Sequence, residues 1–420
     1  MAVVKEKKYI LADVLNNKNK WWNVELNSER KVISRWGRIG APARETELGY
    51  GEALFEAKCR EKERKGYVEQ RTLSGSCTLV SNALHKSDLQ KVAAAQIQTN
   101  STEALELIKR LAASNVHSIL QSTTLQYNAA SGIFSTPLGI VTQEAIDEAR
   151  RVLTTIGECV ARSDFQNYNL LRAANRYLNL IPTKSSRLSV SHLFPDAQAV
   201  RQQGDLLDRL QASLQMALIN PADPTGAATP KVFEASINVV RSRSEFHRLR
   251  DLYRSTLNRS HACAGLELKR VYSVEIASMK KAFEARAASI NNVMELWHGT
   301  NTANILSILH TGFKTQPPAT AAITGKLFGP GLYFALQSTK SLNYGFGYWS
   351  GTKDRNCFLL LCDVAVGRYM VPAGGTSQRP PRGYDSYWAR PGKSGVLNDE
   401  IVIFDAKQVN PRHLLEFGSK

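Results

Sequence analysis

Three stretches bearing chemically capable side chains occur in order along the last third of the chain. ELWHGT (295–300) sets His298 directly before Gly299, after the apolar pair Leu296 and Trp297. FGPGLYFALQSTKSLNYG (328–345) puts glycines ahead of Tyr333, then Lys340, Ser341 and Tyr344 after it. VLNDEIVIFD opens an apolar stretch with Asp399 and Glu400. A carboxylate can stabilise positive charge or polarise a hydroxyl, and a histidine can exchange hydrogen bonds with one. Aromatic rings can enclose a planar group, and a residue without Cβ lets backbone come close to its neighbour. Taken singly, each also has a packing explanation. A histidine beside an aromatic is more often a hydrogen-bonded core residue, a Tyr in G-L-Y-F-A more often packing, and a strand-initial Glu usually solvated.

The elements around these residues read as short buried strands. RVYSVEI (270–276), ELWHG (295–299), GLYFA (331–335), CFLLLCDVAVG (357–367) and EIVIFD (400–405) are apolar and bounded by Gly, Pro, Asn or Asp. Helical stretches are expected near 245–257 and 302–310, giving an α+β domain on a buried, antiparallel-rich sheet. The glycines of GPGLYF precede a strand, whereas a dinucleotide-binding fingerprint follows one, so a Rossmann site is not indicated.

Upstream the pattern changes twice. Residues 1 to about 75 read as a small β-rich module, with WWNVEL (21–26) and KVISRW (31–36) around the turn-prone Asn27-Ser28, and a charged helix from Gly51 to Lys65. The polar, small-residue stretch 72–88 suggests a linker, whose expected bounds are 76–100. A helical region follows over 101–222. Leu105, Ile108, Ala112, Val116 and Ile119 form one stripe there; Ile146, Ala149, Leu153, Ile156 and Val160 form a second behind the N-cap Thr142; Leu207, Leu210, Leu214 and Leu218 mark a third. NPADPTGAATP (220–230) breaks the chain before a last domain over 223–420.

The chain has 420 residues, 43% hydrophobic and 22% charged, the composition of an ordinary globular protein. Its net charge of +17, from 54 Lys+Arg against 37 Asp+Glu, points to a polyanionic partner, nucleic acid before membrane. Six scattered cysteines without a C-x-x-C pair argue against a zinc finger and a disulfide framework. No apolar run approaches the ~20 residues that span a bilayer. The start, MAVVKEKKYILADV, has no signal-peptide apolar region, and the expectation is an intracellular protein without a membrane partner.

In combination the motifs are more specific. LWHGT, F-G-x-G-x-Y-F-A, K-S-x-N-Y and the E-x-x-x-x-D strand, in this order, resemble the catalytic domain of the poly(ADP-ribose) polymerases. PLGIVTQEAI and ANRYLNLIP (174–182) resemble that family's helical regulatory domain, and SRWGRIG (34–40) its Trp-Gly-Arg (WGR) DNA-binding module. The resemblance implies a multidomain α+β chain that uses NAD+ as substrate and needs no metal. Its catalytic triad falls on His298, Tyr333 and Glu400. Gly299, Ser341 and Tyr344 are implied around the nicotinamide, and Thr300, Asn304 and Lys314 toward the adenosine and pyrophosphate. Lys340 and Leu327 are implied on the acceptor side. Trp36 and Arg38, with Arg35, are implied at DNA ends or nicks.

The expected activity is DNA-break-dependent transfer of ADP-ribose to protein side chains, including its own, extending to a polymer. Single additions, or a DNA-end scaffold with little turnover, are the alternatives. A monomer when free is expected, in the nucleus if the source is eukaryotic and in the cytoplasm if bacterial or viral. The chain departs from the family in carrying Asn398, where polymer-forming members often have an aromatic, and Ala212, where a second carboxylate is expected after Asp208.

Overall fold

The computed structural model describes residues 2–70, 89–128, 133–136, 139–183, 185, 187–217, 232–315, 327–348, 351–376 and 378–419. The expected linker stretch 72–88, the breaker cluster 220–230, Leu218 and Cys77 lie outside the described residues. Two compact units emerge: Met1–Asp88 with His117–Ala227, and Leu89–Val116 with Ala228–Lys420.

The first unit begins with a five-stranded sheet. Its strands are β1 (Val3–Asp13), β2 (Lys18–Asn27), β3 (Lys31–Arg38), β4 (Arg44–Tyr50) and β5 (Val68–Gln70), in the order β4-β3-β2-β1-β5. Adjacent tryptophans point to opposite faces of a strand. Trp22 accordingly joins Tyr9, Val24, Leu26, Val32, Phe55 and Cys59, while Trp21 meets Ile10 and Ile39 behind the sheet. Phe55 and Cys59 come from the helix Glu52–Arg64, which starts after Gly51 and stops at Lys65, with Gly66 beyond it at a φ of 84°.

The helices Gln143–Ala161, Tyr168–Leu180 and Ala197–Ala217 complete this unit, with three short strands, β6 (Gln126–Asn128), β7 (Ile133–Thr136) and β8 (Gly139–Ile140). Thr142 Oγ1 caps the first of these helices on Ala145 N at 3.2 Å, and all five of its stripe residues are buried. In the last, Leu207 and Leu210 are buried. Asp208 accepts from Arg150 at 2.6 Å and Asn175 Oδ1 accepts from Val14 N at 2.9 Å, tying helix to helix and helix to the β1–β2 loop.

The second unit holds two sheets. One has the order β11-β13-β17-β10-β9, built from β9 (Ala235–Val239), β10 (Glu267–Ile276), β11 (Val293–His298), β13 (Phe358–Ala365) and β17 (Val409–Gly418). The other runs β12-β16-β15-β14, from β12 (Leu332–Phe334), β14 (Tyr369–Met370), β15 (Ser386–Ala389) and β16 (Glu400–Ile403). Among the described strand pairs of these two sheets only β14–β15 is parallel. The single expected sheet is thus two, joined where Trp297 and Ala335 exchange backbone hydrogen bonds at 3.0 and 2.9 Å.

The apolar run of β13 is buried between neighbours on both sides, and its Leu359 and Leu361 share a core with Trp297, Leu249, Tyr253, Leu342 and Leu415. Residues 102–116 of the helix Thr102–Ser122 count with this unit, with Ile108, Leu111 and Ala112 buried and Asn115 Nδ2 donating to Ala303 O at 3.3 Å. Among the described residues no helix is long and apolar enough to cross a membrane.

Candidate active site

The joint between the two sheets gathers the sequence-predicted residues. β11 ends at His298, one residue beyond Trp297. Its Nδ1 lies 3.0 Å from the carbonyl oxygen of Tyr333 on β12, and the ring sits against Phe313 and Phe334 at 4.8 and 5.4 Å. A carbonyl only accepts, so Nδ1 is the nitrogen that carries a proton, and in the neutral tautomer this leaves the lone pair on Nε2. β12 pairs with β16 so that Tyr333 faces Val402 and Phe334 faces Ile401. One step along β16 from Ile401 is Glu400, which also faces Ala389 across β15. Backbone register alone therefore brings His298, Tyr333 and Glu400 to one end of the joint.

The Tyr333 hydroxyl donates to Gly329 O at 2.9 Å and accepts from Phe328 N at 2.9 Å, holding the glycine turn shut and the ring in place. Glu400 receives a hydrogen bond from Lys340 Nζ, which also donates to Asn398 O and Asp399 O at 3.4 Å. Both side chains are largely buried, at 14% and 18% exposed. Burial pushes the Lys340 ammonium below its usual value, and Glu400 beside it pulls the other way. Asp399 accepts from the Trp388 indole at 2.8 Å, which turns its carboxylate toward β15.

Gly299 has a different reason than ligand approach for lacking a Cβ. A Cβ there would fall onto the carbonyl oxygen of Ser341, so the helix Ser338–Phe346 can seat against β11 only over a glycine. Ser341 Oγ donates to Trp297 O at 3.0 Å in the same contact. With its one proton committed there, the hydroxyl has only acceptor capacity left to offer an amide N–H. Lys340 and Tyr344 lie one turn apart on this helix, and Tyr344 is 43% exposed. Asn304 Nδ2 donates to Thr300 Oγ1 at 3.2 Å across the start of the helix Thr302–Thr311. Lys314 is exposed just past that helix; burial, and then repulsion from this cation, push the His310 ring down to about 4. Leu327 is 45% exposed, while Gly325 and Lys326 lie outside the described residues.

Sequence reasoning passed over the support behind Lys340. Thr339 is fully buried; its hydroxyl receives Asn258 N at 2.9 Å and lies 2.9 Å from His261 Nδ1. A helix start carrying a buried threonine is the only local signal, and it does not name these partners. Among the described residues no group of three His, Cys, Asp or Glu side chains is arranged to hold a metal ion.

Models of known families match the chain in three segments. The model of the poly(ADP-ribose) polymerase catalytic domain matches residues 243–419, that of the family's regulatory domain 117–219, and that of the WGR domain 9–73. The chain belongs to the poly(ADP-ribose) polymerase family. It is 25% identical to a poly [ADP-ribose] polymerase of Sarcophaga peregrina over 98% of this chain and 45% of that protein. Against poly [ADP-ribose] polymerase 1 of Arabidopsis thaliana the figures are 25%, 98% and 46%. Against poly [ADP-ribose] polymerase 2 of Zea mays they are 22%, 96% and 68%. The chain thus spans about half the length of the first two relatives, at 45% and 46%.

In the segment matching the WGR domain, the polymerase-family chain places Trp36 opposite Trp22 and packs it on the sheet core. Arg38 donates to Asn17 O and Oδ1 at 3.1 and 3.0 Å. Arg35 is more committed: its guanidinium grips both oxygens of Glu25 at 2.9 and 3.0 Å and Glu45 at 2.6 Å. A phosphate reaching Arg35 has to displace two carboxylates, whereas at Arg38 it displaces one asparagine.

Proposed function

We propose that this protein transfers ADP-ribose from NAD+ to protein side chains, its own included, when DNA breaks occupy its WGR module. The observation that carries the reading is the convergence of His298, Tyr333 and the Lys340–Glu400 pair at one sheet joint. Breaking the bond between nicotinamide and ribose passes through oxocarbenium-like charge, as in glycoside cleavage. Glu400 bonds the ribose 2′-hydroxyl and favours that charge, with Lys340 holding its carboxylate in place. His298 Nε2 accepts from a ribose hydroxyl, and the Tyr333 and Tyr344 rings enclose the nicotinamide. Gly299 backbone and Ser341 Oγ hold the carboxamide. Thr300, Asn304 and Lys314 face the adenosine and pyrophosphate, and Leu327 the acceptor. Trp36 and Arg38 take a sugar and a phosphate at the break, Arg suiting phosphate through its planar fork of donors.

Labelled NAD+ incubated with the protein, with and without nicked DNA, tests the reading. Label in the protein that rises with DNA supports it; equal labelling in both arms removes the switch, and no labelling in either removes the transferase. A ladder of products on a gel supports polymer extension, and a single shifted species restricts the enzyme to one addition.

A further inference from the structure

Glu400 is the first residue of β16, and the ladder that orders it stops there. It faces Ala389, the last residue of β15, while Leu397, Asn398 and Asp399 before it belong to no strand. Leu397 is 94% exposed. The turn upstream is better held. Pro391 pairs with Val396, and the buried Ser394 hydroxyl donates to Pro372 O at 2.6 Å and accepts from Arg390 N at 3.1 Å. The three residues between that turn and the strand therefore decide where the Glu400 carboxylate stands.

Two side chains hold this short stretch. Lys340 bonds the Glu400 carboxylate and donates to the carbonyl oxygens of Asn398 and Asp399 at 3.4 Å. Neighbouring residues of a strand point to opposite faces, so Asp399 turns away from the face that Glu400 takes. There Trp388 donates its indole N–H to Asp399 Oδ1 at 2.8 Å. Trp388 stands opposite Ile401, and this bond runs diagonally past the end of the ladder to a residue that the backbone leaves unpaired. The indole is itself fixed. The Arg390 guanidinium lies over its ring at 4.3 Å and donates to the Tyr369 hydroxyl at 3.3 Å, and the Tyr369 ring packs on the indole at 4.9 Å. Among the described residues no cation pairs with the Asp399 carboxylate, which leaves the indole to keep it in place.

We infer that Trp388 is a positioning residue for the transfer reaction: through Asp399 it fixes the start of β16 and with it the Glu400 carboxylate. The inference rests on the transferase reading above. Asp399 and Glu400 are adjacent anions beside one ammonium. With the indole in place, Asp399 stays on the far face and Lys340 is left to Glu400. Without it, the strand end frays, and the freed Asp399 carboxylate can turn onto the ammonium that its own carbonyl already meets. Trp388 touches neither cofactor nor acceptor, so its loss acts on rate rather than on NAD+ binding. A misplacement of about 1 Å at a reacting group is enough to slow a reaction by up to about a hundredfold.

NAD+ turnover of the full chain, with nicked DNA at saturation, tests this in a double-mutant cycle. Trp388→Phe keeps a ring for Arg390 and Tyr369 but no donor; its kcat is expected to fall about tenfold, with KM for NAD+ within about twofold of wild type. Asp399→Ala should match it, while Asp399→Asn keeps an oxygen for the indole and should hold kcat within about twofold of wild type. The double variant Trp388→Phe, Asp399→Ala should be no slower than either single one, because both remove the same bond. An undiminished kcat in Trp388→Phe, a KM that rises as far as kcat falls, or losses that multiply in the double variant overturns the inference. So does an Asp399→Asn enzyme as slow as Asp399→Ala. Should the wild type consume no NAD+, the transferase reading fails separately, and amide hydrogen exchange over residues 398–401 then decides the positioning role. Faster exchange there in Trp388→Phe upholds it, and unchanged exchange overturns it.

Discussion

Arg35 and Lys340 are both cations held by carboxylates on the face of a sheet, yet their surroundings differ sharply. Arg35 is 42% exposed and reaches Glu25 and Glu45 on the two strands beside its own. Lys340 is 14% exposed and reaches Glu400 from a helix, across the end of a second sheet. Water screens the first arrangement and can substitute for either partner; burial makes the second depend on its geometry. The same contrast separates two glycines. A Cβ on Gly37 would come within 3.2 Å of Pro42 O and 3.3 Å of the Trp21 indole nitrogen, whereas one on Gly299 would collide with backbone at Ser341. The N-terminal sheet holds its charged groups in solvent-screened pairs, and the C-terminal joint fixes its groups from within.

The sharpest way to break this comparison is the glycine pair. Gly299→Ala must push the helix bearing Lys340, Ser341 and Tyr344 off β11; a loss of about 3 kcal/mol in stability and about a hundredfold in activity is expected. Gly37→Ala, where small shifts suffice, should cost no more than about 1 kcal/mol. Denaturant melts and NAD+ turnover of the two variants measure both, and equal costs would remove the distinction.

The ion pairs come next. Lys340→Ala leaves the Glu400 carboxylate buried without its cation, for about 3 kcal/mol, while Arg35→Ala should cost about 0.5–1 kcal/mol and lose even that in high salt. Activity should also fall with rising pH before the ordinary lysine range is reached, since burial lowers the Lys340 ammonium, and Lys340→Arg should move that limb upward.

The smallest effect concerns acid. His310, pushed down to about 4, stays neutral in the folded protein and takes up a proton more readily once unfolded. Its contribution is complete above about 6.5 and is lost as pH falls from there toward 4, about 2 kcal/mol after allowance for its partial exposure. His310→Leu should flatten stability over that window. In the N-terminal unit, Glu61 is pushed down to about 2 by Lys65 and Lys58, but it is solvated, and salt should erase its effect.

Much of this was readable in the residue pattern where one physical cause dominates. The stripe from Ile146 to Val160 is a helix with its predicted cap because periodicity and capping agree there. The apolar run 357–367 is a central strand because it is buried on both faces. β17 escaped notice because Pro411 and Arg412 interrupt its pattern, and pairing with both β10 and β13 outweighs them. The helix Ala277–Ile290 escaped because it buries little beyond Met279 and Phe283.

For the site, motif order marked which residues to follow, but not what holds them. That Gly299 is needed for Ser341, and that Ser341 gives its proton to Trp297, follow from long-range packing that no local spacing records. That Arg35 is gripped by Glu25 and Glu45, ten residues to either side, is likewise a contact between neighbouring strands that no local spacing records.

The central claim is that Glu400 drives transfer from NAD+ at this joint. Glu400→Gln keeps shape and removes charge, so NAD+ should still bind, as read by ligand-induced stabilisation, while incorporation of labelled ADP-ribose should fall by about a hundredfold or more. Undiminished labelling in that variant would contradict the account.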